Sequence, residues 1–361
     1  MASYWLKYGS NVLNRNGTAV GKSNYDPYNP LGLPPYTIRA KFISGYTPAM
    51  GDSQTLVDAG ENIWDIVKVI DRYTGEWGQL FSGCIQLISV LGANTNGFGG
   101  YKKSISALFK NCSNLEYVAP FDTGNAQWAS QVFYGCTHLQ EIPAIPLGSA
   151  TDLSGMLYNC TSVRTLPAFD TSSALNLNGF VEKCSSLTEF PVIDCSHVTN
   201  MHQMFSGCSS LTTLPMLDTR AVTDMGSLCS GCSSLVSFPA WNTSACSKMG
   251  YMFHGATMLV SVPNISTALV DDMVEMFGGC SRLTSIPLMD TSSAVDMSRM
   301  WEGCTGVESG ALALYQQASA QSNPPSRYSN CFYYTGHDTD PSAPIHSELA
   351  QIPTSWGGTM A

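Results

Sequence analysis

The sequence predicts an α/β repeat solenoid of ten 24-residue coils. Three sets of evenly spaced residues predict it: a cysteine column, two apolar columns beside it, and a proline column. One such unit is too short to bury its own apolar residues, so an array of them folds by stacking neighbours into a continuous core.

The cysteine column comes first. Cys84, Cys112, Cys136, Cys160, Cys184, Cys208, Cys232, Cys280 and Cys304 lie 28 residues apart once and then at 24 or its multiple, with Ala256 in register in the gap. Three residues after each marker stands Leu or Val, as at Leu187, Leu211 and Leu235, and six after all but the last stands another apolar residue, as at Phe190, Leu214 and Phe238. Proline follows at Pro143, Pro167, Pro191, Pro215, Pro239, Pro263 and Pro287. It has no N–H to give to a strand ladder, so it should end the extended segment. In the other half of the unit, Val222, Met225, Leu228, Cys229 and Cys232 are spaced by three, three, one and three, which predicts a short helix with one apolar face. Each coil therefore reads as a short extended segment, a proline turn, an Asp-Thr turn and a short helix ending near Gly-Cys.

These residues carry a resemblance. The unit MFSGCSSLTTLPMLDTRAVTDM, residues 204–225, resembles the repeat of BspA-like leucine-rich-repeat surface proteins of bacteria, over roughly residues 80–310. The flanking stretches NPLGLPPYTIRAKF, VESGALALYQQAS and LAQIPTSW resemble the ends of repeat proteins encoded by gut bacteria and their phages. The resemblance implies a leucine-rich-repeat type of fold and a binding scaffold, without naming a ligand.

The columns set the expected domains: a β-rich N-terminal attachment or capping module over 1–75, the solenoid over 76–310, and a C-terminal cap over 311–361. Alternation at Tyr36, Ile38, Ala40 and Phe42 predicts a strand in the first. A helix is expected from Gly310 to Gln321, and a polar cap is what an open solenoid end requires.

Composition narrows the function. The chain is 44% apolar but only 12% charged, about half of the usual ~25%, so Ser, Thr, Asn and Gly must solvate the surface. A net charge of −10 with no run of Lys or Arg predicts no nucleic-acid partner. No stretch is long and apolar enough for membrane insertion. The first residues, MASYWLKYGSNVLNRNG, lack a secretory signal, which predicts assembly in the cytoplasm without signal-peptide export.

Candidate chemistry is sparse. Cys229 and Cys232 form a CxxC, but both sit in core columns, and stacked thiols that face the same way lack the torsion a disulfide needs, so a reduced ladder is expected. Asp122, Asp170, Asp194, Asp218 and Asp290 recur ten residues after the marker. Such a row can bind calcium or make Asx-turns, and Asn242 and Ser266 in the same column favour turns. The six histidines show no zinc spacing, and no GxSxG or phosphate loop is present, so no enzyme, cofactor or metal is expected.

The expected role is a non-enzymatic protein that presents a repeat surface, as a virion component such as a phage fibre, head decoration or receptor-binding protein, or alternatively as a bacterial cell-surface adhesin. Glu116, Tyr117, Gln140, Glu141, Arg164, Thr165, Thr188 and Glu189 are the predicted binding face, for a host-surface protein or glycan. Tyr4, Trp5, Tyr8, Tyr25, Tyr28 and Tyr36 are the predicted attachment residues toward virion structural proteins, and homo-oligomers are compatible with either role.

Overall fold

The computed structural model describes residues 7–8, 11–13, 19–20, 37–48, 54–68, 78–94, 104–121, 123 and 126–358. Three short strands, β1 (Lys7–Tyr8), β2 (Asn11–Leu13) and β3 (Ala19–Val20), form one small antiparallel sheet. A second sheet contains β4 (Thr37–Phe42), β5 (Gln54–Gly60), β6 (Ile63–Lys68), β7 (Leu87–Asn94) and β8 (Tyr117–Val118) in the order β5-β6-β4-β7-β8. In β4 the expected alternation holds, with Ile38, Ala40 and Phe42 buried. Arg39, between them, makes a two-pronged ion pair with Asp65 on the facing strand, both bonds 2.6 Å. Because β4 pairs with β7 and β7 runs parallel to β8, this sheet passes directly into the first coils.

From there the chain forms stacked coils. Parallel bridges join Ser104, Trp128, Asp152, Asn176, Asn200, Asp224, Lys248, Asp272, Asp296 and Arg327 in one line, at 24-residue steps until the last. The short helix expected in each coil does not form, which corrects the α/β description: among the described residues the only α-helices are α1 (Ala311–Ser319) and α2 (Pro344–Leu349). The reason lies in where the N–H groups go. Met225, Ser227, Cys229 and Gly231 donate into the next coil, to Lys248, Gly250, Met252 and His254 at 2.7–3.0 Å, while Leu228, Ser230 and Cys232 donate three residues back within their own coil. The outward-turning residues take left-handed conformations, φ 54° at Ser227 and 71° at Gly231, and the pair recurs at Tyr251 and Gly255, Glu275 and Gly279, and Arg299 and Gly303. A continuous α-helix excludes that alternation. The 3-3-1-3 spacing nonetheless marks burial correctly, since Val222, Met225, Leu228, Cys229 and Cys232 are fully buried.

The inward columns form one core. Phe253 stacks on Phe277 at 5.4 Å and Phe277 on Trp301 at 4.2 Å. Cys229 takes the place of a phenylalanine in that column. The marker thiols are free and tie one coil to the one before it. Cys208 donates to the Val181 carbonyl and Cys232 to the Phe205 carbonyl, each at 3.1 Å, and the pattern repeats from Cys112 to Cys304 wherever the marker is cysteine. Burial pushes the Cys136, Cys184 and Cys280 thiols up to about 12, which keeps those three protonated donors. A buried threonine column adds a second tie, with Thr171, Thr219, Thr243 and Thr267 donating to the carbonyl of the next coil at 2.7–2.9 Å.

After Cys304 the chain inserts α1, inside the expected 310–321 helix, and then makes one more turn run. Met297, Arg299, Trp301 and Gly303 donate to Arg327, Ser329, Cys331 and Tyr333. Glu348 of α2 accepts from the Gly310 and Leu312 amides at the start of α1, and Trp356 stacks on Tyr328 at 4.4 Å.

Candidate functional site

The face expected from sequence is exposed throughout. Glu116, Tyr117, Gln140, Glu141, Arg164, Thr165, Thr188 and Glu189 all face solvent, and Leu115, Leu139, Val163 and Leu187 just before them are buried. The structure brings these pairs into successive rows. Burial first, and the Glu141 carboxylate second, push the Tyr117 phenol up. Further along, the rows carry Thr212 and Thr213, then Val236 and Ser237, then Val260 and Ser261. Exposed apolar groups follow the prolines at Val192, Met216 and Leu288. Of the attachment residues, Tyr4, Trp5, Tyr25, Tyr28 and Tyr36 lie outside the described residues; Tyr8 ends β1, and its side chain is likewise outside them.

The opposite long side, the turn run, holds the denser chemistry, and sequence reasoning missed it. Tyr134 and Tyr158 stack face to face at 4.2 Å. Lys110 lies 5.0 Å over the first ring and Lys183 4.8 Å over the second, so the order along the stack is cation, ring, ring, cation. The hydrogen bond to Tyr158 raises the Lys183 ammonium further, and burial raises the Glu182 carboxyl beside it. Two coils on, His202 meets Asp224 at 3.5 Å. Near the C-terminal end Glu275 is held by His254 at 3.2 Å and Arg299 at 3.6 Å, and Arg299 also reaches Glu302 at 3.4 Å. Apart from Lys183, His202 and Asp224, these residues stand at two fixed columns, two and five positions before each marker. Reading those columns would have found them; a helix drawn through the segment hid them.

The acidic row makes turns. Asp170, Asp194, Asp218 and Asp290 each accept the backbone N–H two residues on, at 2.9–3.3 Å, and Asn242 does the same at 3.0 Å without a charge. Asp122 lies outside the described residues. Side-chain and backbone hydrogen bonds from Ser172, Ser196, Arg220 and Ser292 lower the four carboxyls. A second row that sequence reading overlooked does the same work: Asp152, Asn176, Asn200, Asp224, Asp272 and Asp296 each accept from the residue two further on, at the rung of their coil. Among the described residues no group of three or more His, Cys, Asp or Glu side chains is placed to hold a metal ion, and no helix is long and apolar enough to cross a membrane.

Comparison with known proteins finds one matching family. The family described as "Mycoplasma protein of unknown function, DUF285" matches at residues 103–214, 176–285 and 199–313, together more than half of the chain. These matches fall on the coils that carry the BspA-like resemblance. A solved leucine rich cell surface protein of Faecalibacterium prausnitzii A2-165 is 17% identical, over 75% of this chain and 90% of its own, with a TM-score of 0.29. No curated protein matches.

Proposed function

Since the chain belongs to the family described as Mycoplasma protein of unknown function, DUF285, and the match covers the coils with BspA-like character, we propose that it is a non-enzymatic binding scaffold displayed at a bacterial cell surface. One observation carries this reading. The inward columns repeat from coil to coil, while the outward rows beside them change, from Glu116 and Tyr117 to Arg164 and Thr165 to Thr212 and Thr213. A stack that repeats inside and varies outside is a frame for positioning recognition groups on a long surface.

The proline side suits a protein or glycan on a host surface. Its prolines leave the extended segments loosely tied to one another, so side chains there differ without disturbing the bonds that hold the stack. The residues before the coils serve as a module for attachment or capping. The matched family gives the virion reading no support, and the cell-surface alternative is the reading proposed.

Limited proteolysis and antibody labelling of intact producing cells test the location: the scaffold is accessible there, and a protein reached only after lysis overturns the reading. A pull-down from host surface extracts with the full chain, repeated with Tyr117→Ala and Arg164→Ala combined, tests the face. Undiminished capture by the double variant moves binding off the proline side.

A further inference from the structure

From Cys112 onward, the row two residues before each marker reads Lys110, Tyr134, Tyr158, Glu182, Ser206, Ser230, His254, Gly278, Glu302. Gly278 omits one side chain from this row, between an imidazole and a carboxylate. Over it opens a cleft of about 330 Å³ lined by His254, Glu275, Gly278, Gly279, Arg299 and Glu302. That volume is at the small end of ligand pockets, which run from ~300 Å³ upward. A Cβ added at Gly278 would lie 3.0 Å from His254 Cδ2 and 3.5 Å from Glu275 Cβ, so any side chain there would enter the cleft.

The polar groups around it are held in place by one another. Glu275 faces His254 at 3.2 Å through one oxygen and Arg299 at 3.6 Å through the other, and Arg299 also approaches Glu302 at 3.4 Å. Each pair leaves further capacity, because a carboxylate accepts about four hydrogen bonds and a guanidinium donates five. Acceptors and donors therefore stand side by side, which matches a ligand whose own groups both donate and accept at neighbouring atoms. Vicinal hydroxyls do this. Two carboxylates facing one guanidinium and one imidazole give no excess positive charge to draw a phosphate or sulfate. Beside the lining, the exposed Tyr251 ring stands 5.8 Å from the His254 ring and tilted 69° to it.

We propose that this cleft is a saccharide subsite for one neutral sugar ring, whose adjacent hydroxyls bridge the carboxylates of Glu275 and Glu302 and the guanidinium of Arg299. It lies on the turn-run side, away from the proline-side face, and stands or falls independently of where the protein resides.

Saturation-transfer NMR on the full chain tests it, with the methyl glycosides of glucose, galactose, mannose and N-acetylglucosamine, and with methylguanidinium and inorganic sulfate as competing chemistries. At least one glycoside should give a signal; Glu302→Gln should weaken it about tenfold, as expected for a lost hydrogen bond to a charged group, and Gly278→Leu should weaken it at least as much by filling the cleft. Thr213→Ala on the proline side should leave it unchanged. If Gly278→Leu lowers the melting temperature, Glu302→Gln decides alone. The proposal is overturned if no glycoside gives a signal, if the signal survives the deciding variants, or if only methylguanidinium or sulfate responds to them.

Discussion

The two long sides of each coil are held by different means. On the turn-run side four N–H groups per coil cross to the next, as at Met225, Ser227, Cys229 and Gly231. On the proline side the same two coils are joined by a single backbone bond, from the Val236 amide to the Thr212 carbonyl at 3.1 Å. Cohesion of the stack therefore resides in the turn run, and the proline side is carried by the core beneath it. The difference also explains where charged and aromatic groups meet. A dense set of rungs fixes the positions of the side chains it bears, so Lys110, Tyr134, Tyr158 and Lys183 stack and Glu275 meets both His254 and Arg299. Sparse rungs give a looser surface of hydroxyls.

Four measurements break or sharpen this contrast. The largest effect belongs to the core under the turn run: Phe277→Ala should cost about 3–5 kcal/mol in a denaturant titration. Leu214→Ala, on the proline side and 8% exposed, should lie near ~2 kcal/mol, the lower end for a leucine. Equal losses would show that the two sides share the load.

Next comes the left-handed backbone. Gly255 has φ 71°, and an added Cβ there meets nothing closer than 3.8 Å, so Gly255→Ala should cost about 1–2 kcal/mol from conformation alone. Ser227, at φ 54°, already bears that penalty, and Ser227→Gly should stabilise by about 0.5–1 kcal/mol. If both substitutions shift the melting temperature in the same direction, the strain is not where the backbone places it.

A smaller effect depends on pH. Asp170, Asp194 and Asp290 have lowered folded pKa values because Ser172, Ser196 and Ser292 hydrogen-bond their carboxylates. A lowered folded value means the stabilisation is present above the unfolded value of about 3.9 and is lost as pH falls through the folded one. Replacing all three with Asn keeps the turns and should flatten the acid limb of a melting-temperature profile below that pH. An unchanged acid limb would assign acid sensitivity elsewhere. The smallest effect is expected at Thr213→Lys on the proline surface, within about 0.5 kcal/mol of the parent chain. A larger loss would mean that this side is tied more tightly than its rungs imply.

Much of this was readable in the residues themselves. The cysteine and leucine columns state which groups are buried, because a stack imposes the same inward direction on every unit, and Cys229 in a phenylalanine column was identifiable as packing for that reason. The Asx-turns were readable because Asn242 replaces Asp without loss of the acceptor. The turn run was not, since a 3-3-1-3 apolar spacing is the same for an α-helix and for a backbone alternating between right- and left-handed residues. The recurring Gly207, Gly231, Gly255, Gly279 and Gly303 before the markers were the one local sign, and all have positive φ.

By itself, then, the sequence determined the period of the stack, its inward columns and its acceptor-bearing turns, because these depend on residue type at a repeated position. The tertiary structure alone decided which N–H groups bond between coils, that the segment 327–334 adds a further turn run after an inserted helix, and that Gly278 leaves a cleft between His254 and Glu302. Those depend on contacts between residues about 24 positions or more apart, and periodicity within one coil carries no record of what the next coil offers.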